Sequence, residues 1–114
     1  MQLVLIVEDD GILSQALKVS LCKEGLKVMI ARNFRTATIL ITQHQYSLVI
    51  LDRVLPDGDG IDLVEKILET NYQARILVLS TKSSVNQRIE GFRLGVDEYL
   101  SKPFSSQELQ LRVN

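Results

Sequence analysis

The sequence predicts an α/β domain in which helices cover both faces of a parallel sheet. Short apolar runs of strand length alternate five times with segments whose apolar residues recur at helical spacing, a pattern typical of such a sheet. The run Leu48–Leu51 is apolar at every position, as expected for a central strand covered on both faces. A length of 114 residues fits one domain with a single core.

The predicted strands are the apolar runs, and right-handed crossovers leave few ways of joining them. They cover residues 3–7, 27–31, 47–51, 75–79 and 98–101. The five helices between and after them are predicted from apolar stripes and from residues that begin or end helices. The first helix ends near Gly25, and the other four begin at Asn33, Asp59, Ser84 and Ser105.

The last two helices have further features that bear on function. The fourth carries an apolar stripe and ends at Gly95; the stripe consists of Val85, Ile89 and Phe92. Ser105 and Glu108 have the spacing of a capping box at the start of the fifth helix. Its pattern runs to Asn114 without a cap, so we expect this helix to be truncated here and to continue in a longer chain.

Composition excludes several classes of protein. The net charge of −1 argues against binding nucleic acid through overall charge. No apolar stretch reaches the roughly 18 residues of a membrane span, and the first residues run directly into acids, unlike a signal peptide. The single cysteine, Cys22, rules out an internal disulfide and fits the reducing cytoplasm. A cytoplasmic protein that does not contact the membrane is expected.

Polar and charged side chains follow the predicted strands at the edge from which the helices start. Glu8 and Asp9 follow the first strand and Asp52 the third, while Ser80 and Lys102 follow the fourth and fifth. Ligands bind at this edge of open α/β sheets. Clustered carboxylates repel one another unless a cation neutralises them, and an all-oxygen site suits Mg²⁺. Such a site could hold a phosphoryl group, with Asp52 as nucleophile.

Four motifs together resemble the receiver domain of two-component response regulators. They are Val-Glu-Asp-Asp at 7–10, Leu-Asp-Arg-Val-Leu-Pro-Asp-Gly-Asp-Gly at 51–60, Leu-Ser-Thr at 79–81 and Tyr-Leu-Ser-Lys-Pro-Phe at 99–104. The resemblance covers essentially the whole chain, in order. It implies that residues 1–114 are one receiver domain with a flavodoxin-like (CheY-like) αβα sandwich and strand order 2-1-3-4-5.

The resemblance also implies a role for each matching residue. Asp52 matches the aspartate that accepts a phosphoryl group from a histidine kinase, and Lys102 matches the active-site lysine. The expected Mg²⁺ ligands are Asp9 and Asp52 directly, Glu8 through water, and the backbone carbonyl of Val54. Ser80 and Tyr99 match the switch pair, in which the hydroxyl moves toward the phosphate and the aromatic ring turns inward. Such a protein catalyses only its own phosphorylation and dephosphorylation.

A narrower resemblance concerns the OmpR/PhoB subfamily, whose members dimerise when phosphorylated. The matching charged residues on the last helix–strand–helix face are Arg88, Asp97, Glu98, Glu108 and Arg112. Arg88 would pair with Glu108, and Asp97 or Glu98 with Arg112, across a two-fold axis. The same charges also fit an ordinary solvated face. A DNA-binding output domain is expected downstream, outside this chain.

Three other functions fit parts of this pattern. A dinucleotide-binding domain needs a glycine-rich first turn, and here that turn is acidic. A haloacid-dehalogenase-type phosphatase resembles this pattern in its strand-end aspartate, but it has a second aspartate where this chain has Val54. A pseudo-receiver, a protein-interaction module that is not phosphorylated, remains the alternative. Asp57 and Asp59 are expected to be turn and capping residues.

Overall fold

A computed structural model describes residues 2–113 and has the predicted parallel sheet at its centre. Its strands are β1 (Leu3–Val7), β2 (Lys27–Ala31), β3 (Leu48–Leu51), β4 (Arg75–Ser80) and β5 (Glu98–Ser101). They are all parallel, in the order β2-β1-β3-β4-β5. The fold class predicted from the sequence and the strand order implied by the family resemblance are therefore confirmed, and β1 and β3 lie side by side.

Five α-helices connect or follow these strands. They are α1 (Gly11–Lys23), α2 (Phe34–Gln43), α3 (Val64–Thr70), α4 (Val85–Leu94) and α5 (Ser106–Val113). The predicted truncation of α5 at Asn114 lies outside the described residues. Within residues 2–113, no helix has the length and apolar character needed to cross a membrane.

The alternation of side chains along the strands separates two apolar layers. On β1, Leu5 and Val7 face a core that includes residues of α2 and α3, whereas Val4 and Ile6 face a core with residues of α1 and α5. Both faces of the central strands are therefore covered, which explains their continuous apolar sequence. This packing holds the polar ends of β1 and β3 in register.

Capping residues set the helix boundaries, and Ser84 is one that the sequence predicts. Asp10 accepts hydrogen bonds from the backbone N–H groups of Ile12 and Leu13, and Ser84 forms a complete capping box with Gln87. These bonds satisfy backbone donors that have no partner within a helix. Gly95 ends α4 with φ of 114°, a conformation that favours glycine.

The segment after β3 differs from the prediction of a simple turn into a helix. Val54–Leu55 and Gly58–Asp59 form a short antiparallel hairpin. Asp59 then caps a 3-10 helix at Gly60–Leu63, and α3 begins only after it. The predicted cap is thus at the right residue, but the first turn is tighter than an α-helix.

The stripe predicted on α4 lies on the surface. Val85, Ile89 and Phe92 are all exposed, and buried Gly91 is the point at which the helix packs most closely on β5. Helical periodicity identified residues that share a face but not which face is covered. These side chains leave an apolar surface on α4.

Candidate functional site

The carboxyl ends of the strands bring the candidate residues together. Backbone hydrogen bonds continue the sheet past its ends, from Asp52 N–H to Val7 carbonyl at 2.9 Å and from Lys102 N–H to Ser80 carbonyl at 3.0 Å. Glu8 and Asp9 leave β1 beside Asp52, because β1 and β3 are neighbours. Residues that are far apart in sequence therefore meet at one edge.

Three carboxylates form a cluster at this edge. Single oxygen atoms of Glu8, Asp9 and Asp52 all lie within 4.8 Å of one another. Glu8 and Asp52 are buried, with exposures of 3% and 5%, and Asp9 is open to solvent. Oxygen atoms from two buried carboxylates and one solvent-exposed carboxylate at this spacing fit the ligand set of a hard divalent cation such as Mg²⁺.

Lys102 neutralises part of this negative charge. Its Nζ atom lies 2.7 Å from Asp52 Oδ2 and 2.5 Å from Glu8 Oε1. Burial alone would lower the pKa of Lys102, but its hydrogen bonds to the two carboxylates outweigh burial and raise that pKa. The lysine is therefore held as a cation directly against the Asp52 carboxylate.

Asp52 and Glu8 are each fixed at both carboxylate oxygens. The second oxygen of Asp52, Oδ1, accepts a hydrogen bond from the Val54 N–H at 3.0 Å. The second oxygen of Glu8, Oε2, accepts one from the Asp10 N–H at 3.1 Å. Burial raises the pKa of Glu8 above its ordinary value, although Lys102 and the Asp10 N–H oppose the shift. The site therefore favours holding positive charge close by.

The predicted switch residues lie on β4 and β5, and both contact the loop that follows β4. Ser80 is fully buried, and its Oγ accepts a hydrogen bond from the Lys82 N–H at 3.1 Å. The Tyr99 hydroxyl donates to the Lys82 carbonyl, and its ring packs on Gly91 of α4. Tyr99 is only 8% exposed, so its ring is already inward in this structure. Both side chains therefore contact the same loop between β4 and α4.

The predicted dimer-face residues are divided between contacts within the chain and open positions. Arg112 Nε lies 3.4 Å from Glu98 Oε2 of the same chain. Asp97 accepts a hydrogen bond from the Ile76 N–H at 2.8 Å, which fixes the start of β5 to β4. Arg88 and Glu108 are exposed. Only the Glu98–Arg112 pair of the predicted set forms an ion pair in the single chain, among the residues the structure describes.

Two arginines that the sequence did not single out support the site. Arg32 follows β2, and its Nε and Nη2 donate to the Asp9 carbonyl at 3.1 and 2.8 Å. Its guanidinium lies against Gly11, where a β-carbon would be 3.0 Å from Nη2. Arg53 directly follows Asp52 and is 5% exposed. Because β2 lies next to β1, the sequence could have suggested that Arg32 lies near Asp9. The partners of Arg53, in contrast, are not indicated by any sequence spacing.

Comparisons with known proteins agree with this geometry. A family model described as the response regulator receiver domain matches residues 4–114. The transcriptional regulatory protein PmrA of Pectobacterium parmentieri is 44% identical over 96% of this chain and 50% of its own length. The chain spans about half the length of the curated relatives it matches.

Solved structures show the same likeness. The non-phosphorylated HemR receiver domain from Leptospira biflexa is 34% identical, with a TM-score of 0.92 over 99% of this chain and 91% of that chain. The response regulator TrrA from Thermotoga maritima, solved in complex with Mg²⁺ and BeF, is 29% identical, with a TM-score of 0.85 over 99% and 96%. Similarity to transcriptional regulators agrees with the expected OmpR/PhoB type. The chain belongs to the receiver-domain family of two-component response regulators.

Proposed function

We propose that this chain is a phosphorylation-activated switch in which Asp52 accepts a phosphoryl group from the phosphohistidine of a sensor histidine kinase. The observation that carries the proposal is the contact of Lys102 Nζ with Asp52 Oδ2 at 2.7 Å, inside a cluster of three carboxylates. A carboxylate nucleophile needs little covalent help in phosphoryl transfer, because positioning and charge stabilisation supply most of the catalysis. The chain would act only on its own aspartate, catalysing its phosphorylation and dephosphorylation.

Each protein group has a separate task in this proposal. An oxygen of Asp52 forms the new bond to phosphorus while the bond from phosphorus to the imidazole nitrogen of the donor breaks. Lys102, held as a cation by its carboxylate partners, pairs with a phosphoryl oxygen. The Ser80 hydroxyl leaves the Lys82 N–H and donates to another phosphoryl oxygen.

Mg²⁺ is the proposed cofactor, and the chain offers an all-oxygen site for it. The carboxylates of Asp9 and Asp52 and the Val54 carbonyl would hold it, with Glu8 acting through water. When bound, the ion supplies neutralising charge to the transferring phosphoryl group. The complex of the similar protein TrrA with Mg²⁺ and BeF supports this choice of metal.

The proposed output is dimerisation through the face formed by α4, β5 and α5. This face carries exposed apolar side chains of Ile89, Phe92 and Leu111 together with the charged residues Arg88 and Glu108. The curated relatives are named as transcriptional regulatory proteins and are about twice as long as this chain. We therefore propose that DNA is bound by a second domain outside this chain. A cytoplasmic location remains a prediction.

Labelling with acetyl phosphate in the presence of Mg²⁺ tests the proposal. The parent should gain the mass of one phosphoryl group, and Asp52→Asn should gain none. Asp62→Asn, an exposed aspartate ten residues away on the 3-10 helix, is the matched control and should label normally. Full labelling of Asp52→Asn would remove the assignment. A folded parent that never labels would instead support the alternative, a pseudo-receiver that acts only as a protein-interaction module.

A further inference from the structure

Arg53 is a buried arginine at the end of β3 that contacts two other segments. Its Nε and Nη2 donate to the two carboxylate oxygens of Asp59 at 3.2 and 2.8 Å, in a bidentate pair. Its Nη2 also lies 2.7 Å from Glu90 Oε1 on α4. Its Nη1 lies 3.5 Å from the Gln87 carbonyl on the same helix. The guanidinium therefore joins the end of β3, the hairpin and α4.

The charges around Arg53 favour this arrangement. Its hydrogen bonds to Asp59 raise the pKa of Arg53, and the Tyr99 hydroxyl contributes in the same direction. Burial alone would raise the pKa of Asp59, but Arg53 and the Ile61 N–H hold that pKa below its usual value. A buried arginine needs such partners, because an unpaired buried charge is strongly destabilising. Glu90 is the partner that α4 provides.

The same turn of α4 is in contact with Tyr99. A β-carbon at Gly91 would lie 3.1 Å from the Tyr99 ring, and Gly91 follows Glu90 directly. The Tyr99 hydroxyl donates to the Lys82 carbonyl, and Lys82 Nζ lies 4.0 Å from Asp59 Oδ2. Asp59 therefore faces both Arg53 and Lys82. Any shift of α4 away from the sheet would separate Glu90 from Arg53 and uncover Tyr99.

We propose that Arg53 is a positioning residue that holds α4 against Tyr99 and so keeps the tyrosine inward before phosphorylation. Arg53 directly follows Asp52 in the chain and contacts Glu90 of α4, so the proposed link joins the phosphoacceptor segment to this helix. In this proposal the contact biases an equilibrium between two positions of α4 toward the one in which Tyr99 is inward, and that position favours the later binding of phosphate. This inference rests on the proposed function, because it assigns the switch to α4 and Tyr99.

Two variants test the inference in the unphosphorylated protein. Glu90→Gln removes the charged partner on α4 at an exposed position, so the fold is retained. Arg53→Met removes the guanidinium but keeps the apolar stem. In both variants, amide hydrogen exchange in residues 85–95 should become faster. A fluorotyrosine ¹⁹F resonance of Tyr99, assigned with Tyr99→Phe, should shift toward that of exposed Tyr72.

The affinity for beryllofluoride in Mg²⁺ provides the functional measurement. Because the held position of α4 is the one that binds the mimic, Glu90→Gln should weaken binding about fivefold, the size expected for one partly exposed ion pair. Arg93→Ala, also exposed on α4, is the matched control and should leave affinity, exchange and the Tyr99 resonance unchanged.

The possible outcomes separate this inference from the proposed function. Unchanged exchange and an unchanged Tyr99 resonance in Glu90→Gln would overturn the role of Arg53, even if Asp52 is phosphorylated normally. If Arg53→Met does not fold, Glu90→Gln alone decides the question. Labelling of Asp52→Asn would overturn the proposed function, but it would leave the effect of Arg53 on Tyr99 measurable in the unphosphorylated chain.

Discussion

Gly60 packs directly on the backbone of Asp52. A β-carbon at position 60 would lie 2.0 Å from the Asp52 carbonyl oxygen and 2.6 Å from Leu51 Cδ1. The start of the 3-10 helix therefore packs back on the residue that precedes the hairpin, and Gly60 N–H donates to the Arg53 carbonyl at 2.8 Å. This close approach restrains the backbone of the candidate phosphoacceptor.

The first prediction is that Gly60→Ala destabilises the fold. The new methyl group has to displace backbone, so we expect the free energy of unfolding to fall by about 3 kcal/mol in urea denaturation. Gly25→Ala is the control, since position 25 has open space around it and only a positive φ of 84°. That variant should lose about 1 kcal/mol. Equal stability of the two variants would contradict the steric explanation.

The second prediction concerns Lys102→Met and its dependence on pH. Without the ammonium group, the already raised pKa of Glu8 should rise further, because burial is then opposed only by the Asp10 N–H. A carboxyl group whose pKa is higher in the folded than in the unfolded state stabilises the fold when it is protonated. This stabilisation is complete below the unfolded pKa, near 4.5, and it is lost as pH rises through the folded pKa. The variant should therefore lose stability as pH rises from 4.5 toward neutrality.

Urea denaturation across this pH range measures the effect. At neutral pH we expect a loss of about 3 kcal/mol relative to the parent, the lower end for breaking a buried pair. The loss should be smaller at acid pH. Lys23→Met, exposed at the end of α1, controls for removal of one positive charge. A pH-independent difference between Lys102→Met and the parent would exclude the charge explanation.

The third prediction is that Arg32 supports the proposed metal site. Because Arg32 holds the Asp9 carbonyl through two hydrogen bonds, Arg32→Ala should free the loop that carries the Asp9 carboxylate. We expect Mg²⁺ affinity, measured by calorimetry, to fall about tenfold, as for other residues that orient a metal ligand. Arg35→Ala, exposed on α2, is the control. Tighter binding by Arg32→Ala would mean that the arginine acts mainly by repelling the cation.

The fourth prediction is that the phosphorylated chain loses its phosphate slowly. Val54 is half exposed beside Asp52 and has no group that could orient an attacking water, and exposed Thr81, which follows Ser80, carries a side chain that would hinder the approach of water. The double variant Thr81→Ala, Val54→Asn should therefore lose phosphate several times faster than the parent. Loss of phosphate is followed by intact mass after removal of the donor. Equal half-lives would count against this explanation.

The fifth prediction concerns dimerisation. Beryllofluoride should raise the sedimenting mass toward that of a dimer, and Arg112→Ala should weaken the association. Arg112 pairs with Glu98 within the single chain, so the dimer requires this exposed pair to open or to exchange partners. Lys66→Ala on α3, outside the predicted face, should dimerise as the parent does. A monomer with and without beryllofluoride would exclude this output for the isolated chain.

Contacts that follow from the order of the strands can be predicted from the sequence. Contacts that depend on how side chains pack are much harder to predict. Asp52 and Lys102 were placed together because parallel strand ends share an edge. The partners of Arg53 could not be predicted, since Glu90 lies far along the chain. It is on a helix whose rotation about its own axis cannot be determined from the periodicity of the sequence. The exposure of Phe92 cannot be predicted for the same reason. Asp59 was correctly identified as a cap, but its bidentate pair with Arg53 has no local sequence signal.

The ion pair between Glu8 and Lys102 closes a loop of 94 residues. A chain emerging from the ribosome therefore lacks the lysine of the site until Lys102 has been synthesised and β5, which precedes it, has joined the sheet. Before that point, Glu8 and Asp52 have no ammonium partner, and the partly made domain holds uncompensated negative charge at its edge. Contacts of such long sequence separation form late and slowly in folding. A complete site can thus exist only in a chain whose topology is already native.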